Sequence, residues 1–335
     1  MKKITILIPA YNEAVNLPAL HARLCALAAG ELDNVYAADV EMSAHGEIPH
    51  MTDYEWEFLF VNDGSRDDTL AVLNTLRRSD PRVTVVDLAR NFGKENALLA
   101  GFDLAKGDAV VVMDADLQHP PEVVPEMVRY WELGYADVYG RRRSRGREPW
   151  LRHHLTSIFY KTLQSLTSIE MMPGVGDFRL LDRRAVNALT SMRETQRYTK
   201  GMFSWIGGSK HGIDFDVADR AGGKSSFGPR QLVALALQGL TGFTTAPLRF
   251  ASISGITISI GAFIYLLYAL VKYACYGDPV RGFATLLCVM LLLGGLQLLC
   301  LGIIGEYIGR IFIETKGRPP YIIDTVNGRP LTSSP

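Results

Sequence analysis

The sequence predicts an α/β protein: a mainly parallel sheet with helices on both faces, then juxtamembrane amphipathic helices and a two-helix transmembrane hairpin. Three observations carry this. Short apolar runs alternate with helical patterns through the first third of the chain, as in strands joined by helical crossovers. The runs Leu248–Val271 and Phe283–Gly305 are each about as long as a membrane span, ~20 residues at 1.5 Å rise across ~30 Å of hydrocarbon. Neither holds Asp, Glu, Lys or Arg from Ala251 to Val271 or from Phe283 to Gly305. Core helices of soluble proteins are usually shorter and interrupted by charge.

Element by element, Ile4–Pro9 reads as a strand and Glu13–Ala29 as a helix after a turn at Tyr11-Asn12. Gly30–Asp53 is polar and without clean periodicity, a long surface loop or insertion. Trp56–Val61 is a second strand, Asp67–Arg78 a helix, Val83–Leu88 a third strand and Gly93–Ala105 a helix. Ala109–Met113 is a fourth, fully buried strand. In such sheets ligands bind at the carboxyl ends of the strands. Tyr11–Glu13, Asp63–Ser65, Arg90–Lys94 and Asp114–Gln118 are therefore expected to converge on one crevice. Trp150–Ile169 and Arg230–Phe243 carry apolar stripes at helical spacing, which suits core packing or a membrane surface. The expected division is a catalytic domain over 1–225, an amphipathic segment over 226–247, two spans within 248–305 and a tail over 306–335.

Bulk composition excludes several classes. Lys plus Arg equals Asp plus Glu at 35 each in 335 residues, so no net field favours nucleic acid. Charge is nevertheless uneven, with Arg141, Arg142, Arg143, Arg145 and Arg147 crowded into one loop. Cys25, Cys275, Cys288 and Cys300 form no C-x-x-C pair and read as small apolar residues, so neither zinc nor a disulfide framework is implied. The apolar part of the N-terminus is too short for a signal peptide. Arg249, Arg310, Lys316 and Arg318 flank the spans on one side, against Lys272 and Arg281 in the connection. That bias puts both ends in the cytoplasm.

Asp114-Ala115-Asp116-Leu117-Gln118 is the strongest chemical signal. Two carboxylates at i and i+2 after a buried strand can meet one hard divalent cation, with Gln118 adding an amide oxygen. Asn62-Asp63-Gly64-Ser65 gives a second acidic strand end, and Pro9-Ala10-Tyr11-Asn12-Glu13 an aromatic ring and a carboxylate at the first. Their bland counterparts are a helix cap and a simple turn. No G-x-G-x-x-G follows the first strand and no G-x-x-x-x-G-K-[ST] occurs, which removes most support for dinucleotide and P-loop chemistry.

These motifs, with Arg90-Asn91-Phe92-Gly93-Lys94, stand in the order and spacing of family 2 glycosyltransferases with the GT-A nucleotide-sugar-binding fold. Gly176-Asp177-Phe178-Arg179-Leu180, Arg197-Tyr198-x-Lys200-Gly201 and Gly305-Glu306-Tyr307-Ile308-Gly309-Arg310 narrow the likeness. The chain resembles the bacterial polyprenyl-phosphate glycosyltransferases. It is similar to dolichol-phosphate mannose synthase and closest to the membrane-anchored glucosyl-transferring type, with Gly30–Asp53 the main departure. The resemblance implies that Asp63 and Glu13 hold a nucleoside, with Pro9 and Tyr11 lining the base pocket and Lys94 in the same nucleotide site. It implies Mg²⁺ or Mn²⁺ on Asp114, Asp116 and Gln118. Asp116, Asp177, Arg141 and Lys200 would be catalytic, with Asp177 near the reacting sugar, and Arg179 and Arg197 would serve acceptor or phosphate. It further implies a UDP-sugar donor, a polyprenyl (undecaprenyl) phosphate acceptor, a homo-oligomer and a multi-pass protein of the bacterial cytoplasmic membrane. Glucose is the first expectation; galactose, N-acetylhexosamine or a modified arabinose stay open. The rivals are a processive polysaccharide synthase, whose Q-x-x-R-W element is not met by Gln196-Arg197-Tyr198, and a silent nucleotide-sugar-binding scaffold.

Overall fold

The structure, a computed structural model, describes residues 1–33, 35, 48–143, 175–195, 197–216, 246–276 and 282–330. The expected amphipathic helices Trp150–Ile169 and Arg230–Phe243, and most of the 30–53 loop, lie outside these residues.

Among the described residues nine strands form one sheet. They are β1 (Lys3–Ala10), β2 (Glu55–Asn62), β3 (Val83–Leu88), β4 (Ala109–Val112), β5 (Asp137–Arg142), β6 (Val175–Asp182), β7 (Lys210–Phe215), β8 (Ile323–Val326) and β9 (Arg329–Pro330). Six helices accompany them: α1 (Leu17–Ala28), α2 (Thr69–Ser79), α3 (Lys94–Leu104), α4 (Val124–Glu132), α5 (Arg183–Ser191) and α6 (Thr199–Trp205). The strand order is β7-β5-β6-β4-β1-β2-β3-β8-β9. The four central strands run parallel, β1 pairing with both β2 and β4, and β2 with β3. Both flanks join the centre through antiparallel pairs, β3–β8 on one side and β4–β6 followed by β5–β6 on the other, where the outermost pair β5–β7 is parallel again. The sheet is therefore mixed rather than mainly parallel. The local apolar pattern reveals the βα alternation of the centre, whereas the flanking pairs join residues far apart in the chain.

Burial follows from the layers. β4 is buried along its whole length and β1 nearly so, because helices cover both faces of the central strands. Phe58, Phe60 and the apolar side of α1 (Leu17, Leu20, Leu24, Leu27) fill one layer. On the other face α3 lies so close to β1 that a Cβ at Gly101 would sit 2.0 Å from Leu7 Cδ1. A polar cluster ties α1 to the turn after α2: His21 Nε2 is 2.9 Å from Asp80, which also accepts two bonds from the Arg82 guanidinium. Burial would raise the Asp80 pKa, but the bonds from Arg82 and His21 outweigh it and hold the carboxyl well below the usual range.

Because β1 feeds β2 on one side and β4 pairs on the other, the strand order reverses at β1, and the crevice opens at the carboxyl ends there. Gly64 is required in the second of these strand ends. Its φ is +63°, and an added Cβ would lie 2.4 Å from the Arg90 carbonyl carbon and the Asn91 nitrogen. Gly64→Ala is expected to cost about 1–3 kcal/mol through strain and backbone overlap, read as a lowered unfolding midpoint without ligand. An unchanged midpoint would mean that the two loops do not touch.

The chain past residue 318 belongs to the same compact unit as the sheet. There β8 pairs antiparallel with β3, Asn327 Oδ1 accepts the Val85 N–H at 2.9 Å, and the Tyr321 hydroxyl donates to Asp103. The tail thus covers a sheet edge that would otherwise expose unpaired backbone groups. The second unit, spanning 228–318 for the most part, contains α7 (Ala246–Tyr276) and α8 (Phe283–Thr315), of 31 and 33 residues. Both leave large apolar side chains exposed, among them Ile253, Phe263, Tyr268, Leu298 and Leu301. Leu293–Thr315 is long and apolar enough to cross a membrane.

Candidate active site

A cavity of about 280 Å³ opens where β1, β2 and β4 end, bounded also by the loop that enters α3. Seven expected residues line it: Pro9, Tyr11, Glu13, Asp63, Lys94, Asp114 and Asp116. The first strand end is locked to the second. The Asn12 N–H donates to Ser65 Oγ at 3.0 Å, Asn12 Oδ1 accepts the Arg66 N–H at 2.8 Å, and the Glu13 N–H donates to Thr69 Oγ1 at 2.9 Å. Asn12 itself takes φ +56°, a left-handed conformation that Asn tolerates better than most residues.

Asp63 reaches the cavity but is not free to serve a nucleoside alone. Its two carboxylate oxygens accept the Phe92 N–H at 2.7 Å and the Gly93 N–H at 2.9 Å. Burial pushes its pKa up, against the lowering from those two bonds. Asp63 therefore shapes the loop that presents the N-terminus of α3. Gly93, Lys94 and Ala97 of that end line the cavity, so the positive dipole end of α3 borders it, with the Gly93 N–H already on Asp63 and the Ala97 N–H on the Gly93 carbonyl.

The acidic strand end after β4 is built by a tight turn. Leu117 takes φ +65°, and the Gln118 N–H donates to Asp116 Oδ1 at 3.1 Å. The Asp114 N–H donates to His119 Nδ1 at 2.9 Å, and the imidazole stacks on Phe178 with centroids 4.8 Å apart. Burial lowers the His119 pKa, which suits a neutral ring accepting at Nδ1. Gln118 is not among the cavity-lining residues; what it gives the turn is its backbone N–H.

Lys94 joins two strands electrostatically. Its Nζ lies 2.6 Å from Asp114 Oδ1 and 2.7 Å from Asp177 Oδ2, on β6. Burial would raise the Asp177 pKa, but Lys94 and then Lys200 outweigh it and hold the carboxyl at about 2, below the ordinary 3.8. A folded pKa held below the unfolded one adds stability above the unfolded value and loses it as pH falls through the folded value. Asp177→Asn should therefore flatten the acid unfolding curve between about pH 4 and about pH 2, followed by circular dichroism; an unaltered curve would contradict the pairing. Asp177 Oδ1 is buried with no hydrogen-bond partner among the described residues.

The remaining expected residues are placed elsewhere. Arg141 lies within β5, next to its last residue, rather than in a loop, and its guanidinium is bidentate to Asp214 on β7. Arg179 is buried, pairs with Asp137 at 2.9 Å, donates to the Gly176 carbonyl and lies over the Phe203 ring. Arg197 is also buried and donates to the carbonyls of Met192 and Leu189. Arg179 and Arg197, expected to serve acceptor or phosphate, spend these bonds on the protein interior. Lys200 lies on α6, exposed and close enough to act on Asp177. Sequence reasoning missed Glu95, which accepts the Thr199 N–H at 2.9 Å as well as the Thr199 hydroxyl and so fixes the start of α6. It missed His119 too, although that residue directly follows the quoted motif.

A cavity at the strand-order reversal, lined by Asp114, Asp116 and the start of a helix, thus lies in a GT-A-like α/β fold with a mixed sheet. The chain belongs to glycosyl transferase family 2, whose sequence profile matches residues 5–190, and the profile described as GtrB C-terminal hairpin matches 246–311. A bactoprenol glucosyl transferase of Shigella phage SfV is 37% identical over 321 residues, covering 96% of this chain and 98% of its own. A prophage bactoprenol glucosyl transferase homolog of Escherichia coli is 37% identical over 324 residues, covering 97% and 99%. An uncharacterized glycosyltransferase of Synechocystis is 39% identical over 326 residues, covering 97% and 96%. Among solved structures, a glucosyl-3-phosphoglycerate synthase of Mycobacterium tuberculosis aligns over 72% of this chain and 77% of its own, at 18% identity and a TM-score of 0.43.

Proposed function

We propose that the protein transfers glucose from UDP-glucose to the phosphate of a polyprenyl carrier at the cytoplasmic face of a bacterial membrane, with inversion at the anomeric carbon. The single observation that carries this is the cavity in which Asp114, Asp116 and the N-terminus of α3 face one another. Full-length likeness to bactoprenol glucosyl transferases supports the sugar and the carrier.

The donor set fits a hard divalent cation: two carboxylates two residues apart share the cavity, and the site already draws in the Lys94 ammonium. Asp114 and Asp116 would hold Mg²⁺ or Mn²⁺, which supplies Lewis-acid stabilisation of the departing diphosphate. The N-terminus of α3 adds fixed N–H dipoles for the same anion. Pro9, Tyr11 and Glu13 border the side of the cavity where the nucleoside would lie. Asp177, with one oxygen on Lys94 and the other without a partner among the described residues, is suited to accept a hydrogen bond from a sugar hydroxyl.

The acceptor needs no general base. An alcohol must lose a proton as it attacks. A phosphate monoester, with a second pKa of about 6, is already mostly dianionic at neutral pH. What remains for the protein is proximity and charge balance, and Lys200, whose charge acts on Asp177, would meet the incoming anion. A carrier with a long hydrocarbon tail also accounts for α7 and α8, whose exposed apolar side chains lipid would cover. The chain leaves the sheet-bearing unit before 228 and rejoins it at 319, which supports an even number of crossings, hence a hairpin with both ends in the cytoplasm.

The test is a panel of UDP-sugars offered to the purified full chain with undecaprenyl phosphate and Mg²⁺ or Mn²⁺, with the lipid product weighed by mass spectrometry. One added hexose from UDP-glucose is the expected product. A ladder of longer glycans would favour a polysaccharide synthase, and donor binding without any product would favour a scaffold.

A further inference from the structure

Asp114, Asp116 and the Lys94 ammonium line the cavity, and a third carboxylate, Asp177, reaches the cluster through its ion pair with Lys94. The cluster is net negative, and a diphosphate would add to that repulsion. Lys94 is the cation that now keeps Asp114 and Asp177 together across two strands, at 2.6 and 2.7 Å. An ammonium has three donors, and two are spent on these acids.

We infer that Lys94 is a resident counter-ion of the metal site, which yields Asp114 to the divalent cation and in exchange pairs with the donor diphosphate. This rests on the reading of Asp114 and Asp116 as metal ligands. A divalent ion and the ammonium compete for the same Asp114 carboxylate, so each weakens the other. Once Asp114 is engaged by the ion, Lys94 keeps Asp177 and regains a donor for a second anion. That anion is the diphosphate, because Lys94 lines the cavity beside the N-terminus of α3. Only the side chain need move. The next residue, Glu95, is held by the Thr199 backbone and hydroxyl, and the preceding Gly93 N–H is held by Asp63. Lys94 thus acts with opposite sign on the two ligands: it opposes the metal alone and favours the metal with the nucleotide. A lysine that merely binds phosphate would leave metal affinity in the absence of nucleotide unchanged.

The experiment is a Mn²⁺ titration of the full chain in nanodiscs, read by the electron paramagnetic resonance signal of free Mn²⁺, with and without UDP. Lys94→Met and Lys94→Gln are expected to bind Mn²⁺ without nucleotide at least about tenfold more tightly than the unaltered protein, since a like charge has been removed. Lys94→Arg, which keeps the charge, should stay close to the unaltered protein. UDP should tighten Mn²⁺ binding more in the unaltered protein than in Lys94→Met, and Mn²⁺ should tighten UDP by the same factor. Thermal unfolding of each variant confirms that the comparison is between folded proteins, and two neutral variants guard against a loss specific to one. Equal or weaker Mn²⁺ binding by both neutral variants, with Asp116→Asn impaired, would overturn the exchange and leave the metal site standing. Mn²⁺ binding untouched by Asp116→Asn, or absent from every form, would overturn the metal site and the exchange with it.

Discussion

Asp116→Asn is expected to lower glucosyl transfer by about 10²–10³-fold, the loss typical of removing one charge-stabilising group from a transition state. The substitution keeps the side-chain volume and an oxygen that can still accept the Gln118 N–H, now bonded at 3.1 Å. The turn at Leu117 should therefore survive, and the unfolding midpoint should not move. What disappears is one negative charge facing the cavity, and with it half of the i, i+2 carboxylate pair. The measurement is the rate of glucosyl-lipid formation at saturating donor, beside a thermal unfolding curve. Full activity of this variant with divalent cations chelated would remove the metal from the account.

Arg179→Met should act on stability instead. Arg179 and Asp137 are 4% and 1% exposed, and their ion pair bridges β5 and β6. Removing the guanidinium strands a carboxylate in the interior, which costs about 3–5 kcal/mol. Burial already pushes the Asp137 pKa up even with Arg179 beside it. Adding Asp137→Asn to Arg179→Met should restore much of the loss, because no buried charge is then left unpaired. Denaturant unfolding of the two variants decides this. A stable Arg179→Met protein with a raised KM for the lipid acceptor would return Arg179 to a phosphate-binding role.

Arg179 also illustrates where reading the chain stops. Asp177 and Arg179 are two apart on a strand, so local spacing puts them on one face and suggests one task. Their partners separate them: Asp177 faces Lys94 from α3, and Arg179 faces Asp137 from β5. The β5–β6 register pairs Tyr139 with Arg179, a contact between distant segments that no local periodicity encodes. Strands β1 to β4 were legible for the opposite reason. Each is an apolar run closed by a turn signal, and the expected edges lie within a residue or so of those observed. The first helix begins at Leu17 rather than Glu13, with Pro18 at its first turn, as suits a residue lacking an N–H. The cavity followed from strand ends alone, which is why its lining was largely anticipated. His119 and Glu95 were not, because both act through backbone groups whose positions only the fold supplies.

The central claim is that the acceptor arrives already anionic and attacks without a base. It is tested most directly by offering the full chain in nanodiscs UDP-glucose with either undecaprenyl phosphate or undecaprenol, and weighing the lipid products over a single turnover. Glucose on the phosphate and none on the alcohol is the result expected. Comparable glucosylation of undecaprenol would contradict the account, since it would demand a group in this cavity that removes a proton.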